Sequence, residues 1–102
     1  MRIAVINSKG GVGKTPLAFS LAKDFGLNLQ TNDNSVVTQI YDKAVYFNPC
    51  KITNDTIYDF GGFVASGVLS ILKECDLVIM PVTPKINSVF KAAETYNQIQ
   101  TL

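Results

Sequence analysis

Short runs of consecutive apolar residues recur along this chain and predict buried β-strands. The first is "RIAVI", Arg2–Ile6, which is rich in β-branched residues and carries no polar residue after its arginine. Runs that are apolar throughout, rather than alternating with polar residues, are typical of parallel sheets covered on both faces. Further strands are predicted at residues 27–30, 44–47, 56–60 and 76–82, of which 44–47 is expected at an edge and 76–82 is the most apolar.

Between these runs, apolar residues return every three or four positions, which predicts amphipathic helices. The clearest case is residues 15–25, where Leu17, Leu21 and Phe25 recur four residues apart with two alanines beside them. Gly26 is expected to end this helix. Further helices are predicted around residues 36–41, across residues 63–75 despite a glycine at position 67, and at residues 86–96.

The alternation of strands and helices determines the expected fold class. It predicts an α/β protein with a parallel β-sheet, flanked by helices on both faces and joined by right-handed crossovers. With 102 residues, 47% of them hydrophobic, the chain is long enough for one small domain with a buried core. We see no internal repeat, low-complexity tract or linker.

The composition excludes several kinds of site. The chain has no histidine, which removes histidine acid–base catalysis, Ser-His and Cys-His nucleophile pairs and most zinc sites. Cys50 and Cys75 are isolated and are expected to be buried small hydrophobic residues. The net charge is +1 without a block of like charges, so nothing points to a nucleic-acid or membrane surface. No stretch reaches the roughly 18 apolar residues of a membrane helix, and we expect a soluble, cytoplasmic protein.

The segment "NSKGGVGKTP", residues 7–16, lies between the first predicted strand and the first predicted helix. This order of strand, glycine-rich loop and helix is what a phosphate-binding loop requires. Gly10, Gly11 and Gly13 let the backbone turn tightly and direct its N–H groups at an anion, and the helix N-terminus adds partial positive charge. Lys14 supplies a full positive charge for phosphates, and Thr15 supplies a hydroxyl for Mg²⁺.

"KGGVGKT", residues 9–15, resembles the deviant Walker A motif of the ParA/MinD family of ATPases. That family relaxes the first glycine of the ordinary pattern, so Ser8 fits, and it adds a signature lysine before the glycine pair, here Lys9. "IYDFGG" at residues 57–62 resembles the Walker B strand of the family, and "DLVIMPVTP" at residues 76–84 resembles its next strand. The resemblance covers nearly the whole chain and is closest in look to the plasmid and chromosome partition ATPases.

The resemblance implies a P-loop NTPase architecture that binds ATP or ADP with Mg²⁺. Lys14 would hold the β- and γ-phosphates, and Thr15 would ligate Mg²⁺. Lys9 would reach the phosphates of a partner subunit in an ATP-sandwiched dimer. Asp33 would orient the attacking water, and Asp59 would support Mg²⁺ through a water. The implied nucleotide-binding residues form one segment: Lys9, Gly10, Gly11, Val12, Gly13, Lys14, Thr15 and Pro16.

Three departures from the family pattern bear on activity. Pro16 replaces a second hydroxyl residue, which removes one contact to the α-phosphate. The Asp-x-Asp motif of the family aligns with "TND", residues 31–33, where only Asp33 keeps a carboxylate and the connection from Lys14 is shorter than usual. The family continues with further strands, so we expect residues 1–102 to form a single nucleotide-binding domain that lacks those strands.

The implied function is ATP hydrolysis that drives dimerisation for plasmid or chromosome partition, with a ParB-like protein and nonspecific DNA as partners in a bacterial cytoplasm. The alternatives are a nucleotide-binding remnant without efficient hydrolysis, a MinD-like positioning ATPase and a metabolic P-loop enzyme. The residues also have simpler interpretations. Lys9 is then a solvated lysine, Asp33 a turn or N-cap residue, and Asp59 the end of a strand before a glycine turn.

Overall fold

The protein is described from a computed structural model, which covers residues 1–6, 14–32, 36–47, 49–61 and 67–81, together with Ala93 and Asn97. Strands and helices alternate along this part of the chain, as the sequence predicts. In chain order the elements are β1 (Arg2–Ile6), α1 (Lys14–Phe25), β2 (Asn28–Thr31), α2 (Val37–Ile40), β3 (Ala44–Tyr46), β4 (Thr56–Phe60), α3 (Val68–Leu72) and β5 (Leu77–Ile79).

The strands form one five-stranded sheet in the order β3-β2-β4-β1-β5. All four pairs of neighbouring strands are parallel, so the predicted α/β class with a parallel sheet is confirmed. β3 lies at one edge, as predicted for residues 44–47. β5 lies at the other edge of the described sheet, and its Leu77 is 52% exposed, although the sequence marks this as the most apolar strand.

The sheet separates two hydrophobic clusters, because successive side chains of a strand point to opposite faces. In β1, Ile3 and Val5 belong to a cluster with residues of α1 and α2, whereas Ala4 and Ile6 belong to a cluster with residues of α3. Helices therefore cover both faces of the sheet, with α1 and α2 on one face and α3 on the other.

The direction of each connection agrees with these faces. The connections through α1 and α2 carry the chain from β1 to β2 and on to β3, towards one edge. The return from β3 to β4 runs over the opposite face, where Cys50 packs in the α3 cluster, and the described residues 49–55 of this return contain no helix. If all crossovers have the same hand, connections that run in opposite directions along the sheet must cover opposite faces, as observed here.

Helix α1 ends at the predicted glycine. Gly26 has a φ of +66°, the Gly26 amide donates to the Lys23 carbonyl at 3.3 Å, and the Leu27 amide donates to the Ala22 carbonyl at 2.9 Å. This pair of bonds is a Schellman motif, in which a left-handed residue satisfies the last carbonyls of a helix. The predicted apolar face is partly wrong, because Phe25 is 64% exposed while two alanines of the helix, Ala18 and Ala22, are fully buried.

The predicted helix across residues 63–75 is wrong at Gly67. This glycine has a φ of +83° and lies at the N-cap, so α3 begins after it. A β-carbon at position 67 would lie 3.1 Å from Cβ of Pro49, which adds a steric reason for glycine. The predicted strand 76–82 is shortened to β5, and β2 begins one residue later than predicted. The predicted helix 86–96 lies outside the described residues except for Ala93, which is helical and exposed.

None of the helices in the described part of the chain is long and apolar enough to cross a membrane.

Candidate functional site

At the carboxyl ends of β1 and β4, the chain continues to helices on opposite faces of the sheet. These strands are neighbours, but the connection after β1 leads to α1 on one face and the connection after β4 leads to α3 on the other. In open parallel α/β sheets such a switch point leaves a crevice beyond the carboxyl ends of the strands, and ligands bind there. The fold thus provides a candidate site directly after Ile6 and Phe60.

Asp59 is the carboxylate at this switch point. It is fully buried and stands in register with Val5 of β1 and Thr31 of β2. The Thr15 hydroxyl donates a hydrogen bond to Asp59 Oδ2 at 2.9 Å, and the Thr31 hydroxyl donates to the same oxygen at 3.4 Å. Two hydroxyl groups from different elements therefore converge on one carboxylate oxygen.

Thr15 reaches this carboxylate from the start of α1, where it is the second residue of the helix. The first turn of a helix carries unsatisfied N–H groups and partial positive charge, which favour an anion or a carboxylate nearby. The next residue, Pro16, is exposed in the same turn. A proline costs little there because its missing N–H has no intrahelical acceptor to lose.

Asn32 forms a second link between β2 and β4. Its side-chain Oδ1 accepts a hydrogen bond from the Gly61 amide at 2.6 Å, and its own amide donates to the Asp59 carbonyl at 3.3 Å. Our sequence interpretation gave no role to Asn32 and treated Thr31 only as the place of a missing aspartate. The available signal was their position, since polar residues directly after a parallel strand lie at the binding edge of the sheet.

The structure brings together two of the sequence-predicted site residues, Thr15 and Asp59, which are the pair predicted for the metal. Lys14 is the first residue of α1 and precedes Thr15 at the helix N-terminus. The remaining site residues lie outside the described residues and stay predictions: Lys9, Gly10, Gly11, Val12, Gly13 and Asp33.

The donor set is suited to Mg²⁺. A threonine hydroxyl and an aspartate carboxylate are hard oxygen ligands, and Mg²⁺ typically uses one or two carboxylates with water and substrate phosphates. The described residues contain no group of three or more His, Cys, Asp or Glu side chains that could hold a metal ion. Thr15 and Asp59 could contribute two oxygen ligands to such a cation.

Cys50 lies near Asp59, in the cluster on the α3 face. Its thiol donates to the Phe47 carbonyl at 3.4 Å, and burial, with a smaller contribution from the negative charge of Asp59, raises the pKa of Cys50 to about 11. Burial also raises the pKa of Cys75 to about 11. Neither cysteine forms a disulfide, and thiols with such pKa values are protonated at neutral pH and poorly nucleophilic. The predicted burial is confirmed for Cys50, while Cys75 is half-buried.

Comparison of the chain with protein-family models, curated proteins and solved structures gives no match.

Proposed function

We propose that this chain binds a nucleoside triphosphate with Mg²⁺ and is an ATPase of the ParA/MinD type. The observation that carries the proposal is the 2.9 Å hydrogen bond between the Thr15 hydroxyl and Asp59 Oδ2. In P-loop NTPases the cation is held by the hydroxyl residue after the loop lysine and by the aspartate that ends a neighbouring strand. The sequence motifs and the fold thus point to the same two residues.

The placement of these residues gives independent support. If residues 7–16 were only a surface loop with lysines, a contact between the helix that follows them and a buried carboxylate would not be expected. Here the threonine that follows Lys14 contacts Asp59, which is 44 positions away in sequence, at the switch point of the sheet. Burial of a carboxylate costs free energy unless polar or charged partners compensate it, and a cation bound at this position would be such a partner.

The residues have distinct roles in this proposal. Backbone amides of the glycine loop and the start of α1 hold the phosphates, and Lys14 neutralises their charge. Thr15 and Asp59 hold the Mg²⁺, which supplies further charge neutralisation when bound. Phosphoryl transfer depends mainly on such positioning and electrostatic stabilisation. Asp33 orients the attacking water.

A melting experiment tests the nucleotide site. At a Mg-ATP concentration of 100 times Kd, binding adds about 2.7 kcal/mol of stability, which raises Tm by about 10–20 °C for a domain of this size. We expect Lys14→Ala to abolish this shift and Lys73→Ala, an exposed lysine at the end of α3, to leave it unchanged. An equal shift in the Lys14 variant rules out the phosphate loop.

Hydrolysis, dimerisation and partners form the outer part of the proposal and rest on the family resemblance. They comprise an ATP-dependent homodimer in which Lys9 reaches the partner's phosphates, with a ParB-like protein and nonspecific DNA as further partners in partition. One observation favours a second candidate, a nucleotide-binding protein without efficient hydrolysis. The Thr31 hydroxyl contacts Asp59 where the family has a carboxylate, and Pro16 removes a hydroxyl contact. Phosphate release measured beside the Tm shift separates the two candidates.

A further inference from the structure

The ends of β2 and β4 are held together beyond the last rung of their ladder. Backbone pairing between these strands ends at Thr31 and Asp59. One residue further along, the Asn32 amide still donates to the Asp59 carbonyl at 3.3 Å. The Asn32 side chain then adds a bond that the backbone does not provide, since its Oδ1 accepts from the Gly61 amide at 2.6 Å.

This side-chain bond holds the first residue after β4 in place. Gly61 is the first residue after the strand and has no side chain of its own to fix its position. Asn32 supplies a carbonyl oxygen where a longer β2 would have supplied a backbone carbonyl. Asn32 is half-buried and directly follows the fully buried Thr31, which limits its movement. Asp59 is thereby held from both sides, by its pairing within the strand and by the fixed residue two positions later.

We propose that Asn32 is a positioning residue for the cation site, which holds the end of β4 so that the Asp59 carboxylate stays within reach of Thr15. The inference rests on the proposed function, because it assigns Asn32 to the same site. Asn32 acts through Asp59 and is not itself a ligand. A cation site tolerates little displacement of its ligands, and Mg²⁺ in particular demands near-ideal geometry.

The proposal predicts a specific loss of Mg²⁺ affinity. The test titrates Mg²⁺ at a fixed, saturating ADP concentration and follows the Tm of the full chain, because ADP is not hydrolysed and leaves the cation site as the measured quantity. Asn32→Ala is expected to raise the half-maximal Mg²⁺ concentration by about tenfold, the lower end of the effect of losing a group that orients a metal ligand. The Tm shift with ADP and EDTA is expected to stay at the wild-type value.

Two variants separate positioning from mere stabilisation. Asn54→Ala removes a comparable amide side chain, whose Oδ1 accepts from Arg2 Nη2 at 2.7 Å, at a site remote from Asp59. It is expected to lower the Tm of the ligand-free protein without moving the Mg²⁺ midpoint. Asn32→Asp keeps the acceptor oxygen and is expected to keep the midpoint at or below the wild-type value, and it serves as the test if Asn32→Ala does not fold.

The outcomes distinguish this inference from the function on which it rests. If neither ADP nor ATP with Mg²⁺ shifts the Tm of the wild type, the proposed function fails and the role of Asn32 fails with it. If the wild type responds but Asn32→Ala keeps a midpoint within about twofold, only the positioning role is overturned. A raised midpoint in Asn32→Asp overturns it as well, because that variant retains the acceptor.

Discussion

Tyr58 and Asp59 are adjacent residues of β4 that organise polar contacts on opposite faces of the sheet. Both are fully buried. On the α3 face, the Tyr58 hydroxyl donates to the Lys51 carbonyl at 2.9 Å and accepts from the Thr53 amide at 3.0 Å. On the α1 face, Asp59 receives the hydroxyls of Thr15 and Thr31. We call these groups the Tyr58 cluster and the Asp59 cluster.

The Tyr58 cluster satisfies the backbone of a connection that has no helix. Gln30 extends it, since its Oε1 accepts from the Lys51 amide at 2.8 Å and its Nε2 donates to the Thr53 hydroxyl at 2.7 Å. A helix would satisfy its own backbone groups, but the irregular residues 49–55 depend on side chains of the sheet. This cluster is a structural support for the crossover from β3 to β4.

The Asp59 cluster has a different chemical character. Its central group is a carboxylate, its neighbours Thr15 and Thr31 are short hydroxyl residues, and it lies at the end of the sheet from which the glycine loop leaves. The Thr15 and Thr31 hydroxyls orient this carboxylate through hydrogen bonds to its Oδ2. The difference teaches that burial of a polar side chain does not by itself indicate function. What indicates function is a charged group at the switch point, beside a helix N-terminus.

The largest effect is expected from Asp59→Asn, which tests the role given to the Asp59 cluster. Asp59→Asn keeps the size and the hydrogen-bond acceptor but removes the charge, so we expect the Mg²⁺-dependent part of the nucleotide-induced Tm shift to disappear. That part is worth up to about 2.7 kcal/mol at 100 times Kd. Calorimetric melting with ADP, in Mg²⁺ and in EDTA, measures it. The control is Asp24→Asn, an exposed residue in the last turn of α1, and a full Mg²⁺ response in Asp59→Asn contradicts the proposed cation site.

The converse pattern is expected at Tyr58, where stability is lost and the nucleotide response is kept. Tyr58→Phe removes the hydroxyl and leaves the Lys51 carbonyl and the Thr53 amide without their partner, which costs about 1–3 kcal/mol. Urea unfolding is expected to show this loss, while the nucleotide-induced Tm shift keeps its wild-type size. Tyr46→Phe, in the exposed part of β3, is the matched control and is expected to change stability by less than about 0.5 kcal/mol. Loss of the nucleotide response in Tyr58→Phe contradicts the division between the clusters.

More of the Asp59 cluster than of the Tyr58 cluster could be predicted from the sequence, for physical reasons. The apolar runs predicted β1 and β4, and the order of strand, glycine loop and helix predicted Thr15. The resemblance of residues 57–62 to a Walker B strand implied Asp59. These signals are local in the sequence. The contacts of Thr31 and Asn32 depend on β2 lying beside β4. The hydrophobic pattern does not determine the strand order, so these contacts could not be predicted. In the sequence, Tyr58 likewise counts as one more apolar strand residue, because its hydrogen bonds to residues 51 and 53 are known only from the structure.

Gly67 shows the same limit within a single element. In a helical pattern one glycine is tolerated at a cost of about 1 kcal/mol, so the pattern around residue 67 predicted a continuous helix. The left-handed backbone and the close approach of Pro49 are consequences of the tertiary fold. The boundary of α3 therefore could not be predicted from propensity, whereas Gly26 could, because it follows a complete apolar period.

The smallest expected effect links the two faces through Cys50, which lies on the α3 face but responds to the charge of Asp59. Burial is the larger cause and Asp59 the smaller cause of a thiol pKa raised from 9 to about 11. The folded state therefore keeps the thiol protonated where the unfolded chain begins to ionise, and this contribution to stability is lost as the pH rises from 9 towards 11.

Removal of the Asp59 charge lowers this pKa only in part. In a Cys75→Ser background, Asp59→Asn is expected to bring the pKa of Cys50 to a value between 9 and about 11, because burial is unchanged. The ultraviolet absorbance of the thiolate, taken as the difference from a matching Cys50→Ala chain so that tyrosine ionisation cancels, measures the shift. Asp24→Asn is expected to leave the titration where it is in the parent. A Cys50 titration that does not move in Asp59→Asn contradicts the contribution of the Asp59 charge to the pKa of Cys50, and with it the electrostatic difference between the Asp59 cluster and the Tyr58 cluster.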